Sequence, residues 1–411
     1  MSLSYRRRIR ASFLPALRTG LLLIVPAATA LQLKAEDRKY MIGTTIDLVG
    51  GGNRAQTPSL SNAAGSFFYE AYPSVDIRSA GSHSQLEISY AFGLSRFNND
   101  LNYNSNSHAV SAMLSGSVAP KWKLSVADRF QRSSNFATFD ATRGILSTAN
   151  GFVFNPVAHD ILTETNNVSF TADYTANEKS SLSLNASHLF VSYPHSEPFN
   201  GLLFDQQRVS ESITYSQKVT ENGGWNLTYD GAYADLGHQF PNTHTHAVSA
   251  GYFQQIGHDL TLRLAAGPTY VRTAAPFENY PGYNAHVSVQ KPIKSNALLL
   301  YYAHESGAST GLGSISDNDR AGFGVSRSIG TNASFFADVS LFDLRSKLGV
   351  NYKTRGISTA ASVGIPVGRM LSLRWGAQYQ RYDEASVFGF EQTRIYISVR
   401  FNAPELWKVT R

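Results

Sequence analysis

Leu86-Glu87-Ile88-Ser89-Tyr90-Ala91-Phe92-Gly93-Leu94 alternates apolar with small or polar residues without a break. In an extended chain Leu86, Ile88, Tyr90, Phe92 and Leu94 share one face, and Glu87, Ser89, Ala91, Gly93 and Ser95 share the other. This is the period-two pattern of a strand with one apolar side. The pattern returns in Val168, Phe170, Ala172 and Tyr174, and again in Val209, Glu211, Ile213 and Tyr215 opposite Ser210, Ser212, Thr214 and Ser216. It continues through Trp225, Leu227, Tyr229 and Tyr233 opposite Asn226, Thr228 and Asp230, and it ends with Ile395, Ile397, Val399 and Phe401. No helical 3.6-residue pattern of useful length competes with it.

The connections have their own rhythm. Short polar turns (Ala80–Ser84, Ala119–Lys121, Ala176–Ser180, Thr220–Gly224, Gln255–Asp259, Lys291–Asn296, Gly330–Asn332, Pro366–Arg369) alternate with long segments. The long ones are roughly Asn98–Ser107, Ser133–Glu164, Tyr193–Gln207, Gly237–Thr243, Thr273–Gly282, Gly307–Asn318, Leu344–Thr354 and Asp383–Glu391.

Composition narrows the fold class. The chain has 411 residues, 12% aromatic and only 16% charged, with no Cys. Charge is well below the roughly 25% of ordinary globular proteins. The face opposite the apolar one is Ser, Thr, Asn and Gly rather than Lys and Glu, which is unlike a water-exposed surface. No uninterrupted apolar run of about 18 residues exists, so a helical membrane bundle is excluded. Without Cys there are no disulfides, thiolate metal sites or Cys nucleophiles. An all-β, closed antiparallel transmembrane barrel satisfies these observations, because closure leaves no unpaired backbone edge in lipid.

The net charge of +6 does not indicate nucleic-acid binding. Arg6, Arg7, Arg8, Arg10 and Arg18 lie in a 30-residue start without Asp or Glu; removing those five of the 36 basic residues leaves 31 against 30 acidic ones. That start runs from basic residues through Leu21-Leu22-Leu23-Ile24-Val25 to Ala28-Thr29-Ala30, the order of a signal peptide. Cleavage is expected after Ala30, with Ala35 as second choice.

Taken together, the chain resembles the outer-membrane β-barrel proteins of Gram-negative bacteria, in particular the porin-like group with 16 or 18 strands. The resemblance covers residues 40 to 401 and rests on pattern. It implies short periplasmic turns and long extracellular loops. Strands counted from Phe68 to Phe401, plus an upward first strand through Tyr40, Ile42, Thr44, Ile46 and Leu48, make about eighteen. Sixteen, with the N-terminal segment folded into the lumen, is the alternative, because Gly50-Gly51-Gly52 follows a weak alternation. The expected organisation is a signal peptide at 1–30, one barrel at 31–401 and a periplasmic tail at 402–411. Arg394-Ile395-Tyr396-Ile397-Ser398-Val399-Arg400-Phe401 resembles the C-terminal signal read by the barrel-assembly machinery, although a ten-residue tail follows the Phe that usually ends the chain.

The family resemblance also makes 133–164 similar to an inward-folded constriction loop, carrying Asp140, Arg143, Asp160 and Glu164. Strand alternation places Lys123, Arg129, Arg263, Arg320, Arg374, Arg394 and Arg400 on the inner wall, with Asp230 and Asp338 as acidic exceptions. Confined charges of one sign set ion selectivity, and more Arg than acid predicts a mild anion preference. His244 and His246 share a face, with His238 nearby, but no carboxylate lies close in sequence, and no metal site is expected. No spacing singles out a nucleophile and base, so no catalytic residue and no cofactor are expected.

The expected function is therefore a channel for passive or substrate-selective diffusion of small hydrophilic solutes, anionic ones among them. The alternative is a non-enzymatic component of an envelope assembly or surface-polysaccharide exporter with a closed lumen, its tail (Glu405, Trp407, Lys408) contacting a partner. Expected partners are outer-membrane lipid, the barrel-assembly machinery and small solutes, with association between copies of the chain left open.

Overall fold

The computed structural model describes residues 39–56, 64–98, 104–133, 162–194, 205–235, 242–257, 260–274, 278–293, 296–309, 314–330, 333–348, 353–384 and 390–410. The signal segment, His238 and the loop residues Asp140, Arg143 and Asp160 lie outside them. The strands are β1 (Lys39–Gln56), β2 (Ala64–Ala80), β3 (Ser84–Phe97), β4 (Ser105–Ala119), β5 (Trp122–Ser133) and β6 (Thr163–Thr175). They continue with β7 (Ser180–Ser192), β8 (Gln206–Thr220), β9 (Gly223–Asp235), β10 (Thr243–Ile256), β11 (Leu260–Thr273) and β12 (Tyr280–Ile293). The last six are β13 (Asn296–Ser309), β14 (Ser314–Ile329), β15 (Ala333–Leu348), β16 (Lys353–Val367), β17 (Leu371–Glu384) and β18 (Phe390–Thr410).

Each strand pairs antiparallel with its neighbours in the chain, and β1 also pairs with β18, so the 18-stranded sheet closes on itself. The sixteen-stranded alternative is ruled out. Gly50-Gly51-Gly52 belongs to β1 and pairs on both sides, with Ile397, Tyr396 and Ile395 of β18 and with Tyr69, Phe68 and Phe67 of β2. Glycine is required at Gly51 for a steric reason: a Cβ there would run into the Ile395 carbonyl oxygen.

Residues 402–411, expected as a separate tail, mostly continue β18. Tyr40, Met41 and Ile42 pair with Val409, Lys408 and Trp407. The register shifts between Ile42 and Thr44, where Gly43 lies against the Pro404 backbone. Proline has no N–H to give the ladder, so a bulge there carries the strand past it.

Curvature identifies the two faces. Side chains splay on the convex outside of a barrel and crowd on the concave inside. Phe67, Tyr69, Ile88, Leu300, Ile395 and Ile397 are exposed, whereas Ser210, Ser212, Ser316, Asn318, Gln392 and Ser398 on alternate positions are buried. The apolar face is therefore outside, where it requires lipid, and the polar face lines the interior. Trp122 packs on Tyr174 at 4.8 Å and Trp225 on Tyr215 at 5.4 Å between ring centroids. These rings stand outward near the short turns, as an interfacial aromatic girdle does. Gly257, Gly330 and Gly368 take φ of 63°, 62° and 85° at three of these turns, the left-handed backbone that tight hairpins demand.

The strands exceed the 9–11 residues needed to cross a bilayer, reaching 21 in β18. Part of this surplus comes from stretches read as loops: β13 and β14 take most of 307–318, and β15 and β16 much of 344–354.

Candidate functional site

Pairing register sorts the charged residues by face. Lys123 and Arg129 (β5), Asp230 (β9), Arg263 (β11), Arg320 (β14), Asp338 (β15), Arg374 (β17), and Arg394 and Arg400 (β18) all alternate with outward apolar positions and so have inward register. The same register adds Asp47, Glu70, Asp76, Glu87, Asp173 and Glu305 to this face, along with Arg78 and Arg208. Asp230 and Asp338 are thus not the only acids on the inner wall, and acid and base there come close to balance.

Much of that charge is paired along the wall. Arg400 donates from Nε and Nη2 to Asp47 Oδ2, at 3.0 and 2.7 Å. Arg320 Nη2 donates to Glu305 Oε2 at 2.7 Å, and Arg78 Nε donates to Glu87 Oε1 at 3.2 Å. Arg394 Nη2 lies 2.7 Å from Glu70 Oε1, too obliquely for a hydrogen bond, with its guanidinium 4.0 Å above the Phe68 ring. Ser95 Oγ donates to the same carboxylate at 3.3 Å. Among the described residues Lys123, Arg263 and Arg374 have no carboxylate within ion-pair distance.

A second group converges across β8 to β14. Arg208 on β8 feels the charges of Asp230 on β9 and Glu305 on β13. His286 on β12 feels Glu305, Arg320 and Arg263. The Nε of Arg208 is buried and meets no acceptor. Four cationic or imidazole groups and two carboxylates therefore share one sector of the interior, an arrangement suited to holding or steering a small anion.

Other sequence candidates lie elsewhere. Glu164, assigned to the constriction loop, stands in β6 on the outward side, 3.5 Å from Arg132 Nη1. It is strand, and it does not face the lumen. His244 and His246 also point outward. His244 packs on Tyr233 at 5.0 Å between ring centroids, and His246 Nδ1 lies 2.8 Å from the Tyr229 hydroxyl. At the base of the 195–204 segment the Tyr193 backbone N–H donates to Asp205 Oδ1 at 2.9 Å. Burial and that carboxylate hold the Tyr193 phenol above its ordinary range.

No protein-family model matches the chain, and no curated protein matches it. Solved structures do show likeness. OccK2 (OpdF) of Pseudomonas aeruginosa has a TM-score of 0.48 at 11% identity, over 88% of this chain and 98% of that one. The same protein in complex with glucuronate gives the same values. OccAB4 of Acinetobacter baumannii has a TM-score of 0.48 at 8% identity, over 88% and 98%.

Arg208, Glu305 and His286 were missed in the sequence for different reasons. Arg208 precedes Ser210, Ser212 and Thr214 at spacing two, so its inward direction was available from alternation. Glu305 ends a stretch, Leu298 to Glu305, that is apolar on both faces, and only pairing with Asn318 of β14 fixes its direction. His286 sits on the small-residue side of β12, where imidazole gives no pattern.

Proposed function

We propose that the protein is an outer-membrane channel for small hydrophilic solutes, with a preference for anions. The observation that carries the reading is the convergence of Arg208, Arg263 and His286 on one interior sector, beside the Arg320–Glu305 pair, with the Arg208 Nε buried and unmatched. An eighteen-stranded barrel is wide enough to hold water, and its polar wall supports passage of hydrated solutes driven by their own gradients. The unpaired Lys123, Arg263 and Arg374 would supply the net positive potential, and the paired Arg320, Arg394 and Arg400 would brace the wall.

Reconstitution of the mature chain in a planar bilayer tests this. The reading expects steady single-channel conductance, a reversal potential on the anion side in a KCl gradient, and current reduced by glucuronate as a probe anion. A folded barrel that conducts nothing would overturn it and favour an assembly role with a closed lumen. Cation preference would overturn the anion assignment alone.

A further inference from the structure

On the outer face of β13 and β14, three side chains stand in the order of a proton relay. His304 and Ser306, two apart on β13, share the outward register with Asp319 of β14, the cross-strand partner of His304. His304 Nδ1 lies 2.8 Å from Asp319 Oδ1. An ionised carboxylate only accepts, so Nδ1 carries the hydrogen and Nε2 keeps its lone pair. That Nε2 is 3.5 Å from Ser306 Oγ, and the corresponding bond in resting catalytic sites is often long, tightening when substrate binds. The Tyr302 hydroxyl donates to the same Asp319 oxygen at 2.8 Å, and the His304 ring stacks on Tyr283 at 3.9 Å between centroids. Base and orienting acid are therefore both held in place. Spacing in the sequence could not single this set out, because Asp319 is fifteen residues from His304 and only strand register brings them together.

Ser306 is 5% exposed, and what covers it is the end of β12. Among the described residues the β12–β13 ladder stops at Ala285 and His304. Beyond that point the Ser306 backbone N–H donates to Asn284 Oδ1 at 3.1 Å, and Gly282 lies bare against the Ser306 side chain, where a Cβ would collide. The Tyr280 hydroxyl and Ser306 Oγ both donate to Asp317, at 2.9 and 2.6 Å. The end of β12 thus rests on β13 through side chains instead of a ladder, a cover that local opening can lift while the barrel stays closed.

Height and surroundings select the ligand. Asp319 is ten residues above Ile329 at the foot of β14, which at about 3.3 Å per residue and a tilt of about 40° is roughly 25 Å, the top of the apolar band. Acyl esters of outer-leaflet lipids lie at that level. Below the site Leu300, Phe323 and Leu341 are exposed to acyl chains. At the same height and above, Arg345 and Arg355 both pair with Asp343, and they are 47% and 59% exposed while that carboxylate is 18% exposed. Lys347 Nζ stands 3.2 Å from Asp317 Oδ2. Apolar wall below and guanidinium above fit an amphiphile with an anionic phosphate headgroup.

We propose that Ser306, His304 and Asp319 form a hydrolytic site on the outside of the barrel that cleaves acyl esters of such lipids, separately from any traffic through the lumen. Ser306 Oγ attacks the ester carbonyl carbon and its proton passes to His304 Nε2, while Asp319 positions the imidazole and stabilises its charge. The C=O electron pair moves to oxygen, and the tetrahedral state collapses by breaking the bond to the alcohol, which takes the proton from His304. Water, with His304 as base again, then releases the acyl group from Ser306 as a fatty acid and leaves a lysolipid.

The test uses the refolded mature chain in vesicles of phosphatidylglycerol and, in a parallel arm, vesicles containing lipid A, with free fatty acid read by mass spectrometry. Release from either arm is expected and identifies the headgroup. A fluorophosphonate probe should phosphonylate Ser306 in the same vesicles, located by peptide mass. Ser306→Ala and His304→Asn should abolish release while keeping the heat-modifiable mobility of a folded barrel and the wild-type conductance. Asp319→Asn should lower kcat by roughly 10⁴-fold and leave KM near the wild-type value. A folded wild type that releases no fatty acid in either arm would overturn the proposal, as would release that persists in Ser306→Ala or a probe adduct on a different serine.

Discussion

Arg394 and Glu70 are 5% and 4% exposed at their side chains, and each neutralises a charge that the other could not leave unmatched. Breaking a buried pair costs more than the pair contributes, because one ion stays behind without its partner. Arg394→Met should therefore lower stability by about 3–5 kcal/mol, measured as a shift in the urea unfolding midpoint, and the double change Arg394→Met with Glu70→Gln should recover most of the loss. Arg374→Ser, with no carboxylate in ion-pair range among the described residues, should shift that midpoint little. Its effect should be on permeation: Arg263→Ser with Arg374→Ser should move the reversal potential toward cation preference, and an unchanged value would remove those two residues from the selectivity account. Alternation was enough to give the inward direction of all nine charges named from sequence. It could not show which were paired, since Asp47 meets Arg400 353 residues later and only the closed register brings them together.

At the scale of the strand, turns and closure carry the predictions. Gly368 has φ 85°, so Gly368→Ala should destabilise by about 1–2 kcal/mol through left-handed backbone strain, read again by urea unfolding. Gly51→Val should do more harm by a different route, forcing β1 away from the Ile395 carbonyl and lowering the fraction of chains that reach heat-modifiable mobility. Deleting residues 402–410 should have a similar effect, because it strips the partners from the first residues of β1. The existence and order of the strands could be read from period two because one face meets lipid and the other does not. Strand ends could not be read this way, since a barrel wall that rises past the bilayer loses the apolar face that marks a strand. The extension beyond Phe401 was hidden further by Pro404, which reads as a stop in sequence and is accommodated by a bulge at Gly43.

For the molecule as a whole, the polar inner face and apolar outer band together describe a wall between two solvents, and conductance is the measurement that tests whether solute crosses it. All neighbour pairings but one join strands consecutive in the chain; the exception is the seam of β1 with β18. That topology has a kinetic consequence. Consecutive hairpins close short loops and form quickly, whereas the seam must bring together segments from opposite ends of the chain and bears most of the loop-closure entropy. Until it forms, the sheet has two long open edges, with Ile395, Ile397 and Val399 beside one of them, and such edges template pairing between molecules. Refolding yield should therefore fall as protein concentration rises, and variants that weaken the seam should be lost to aggregation before they are lost to reversible unfolding.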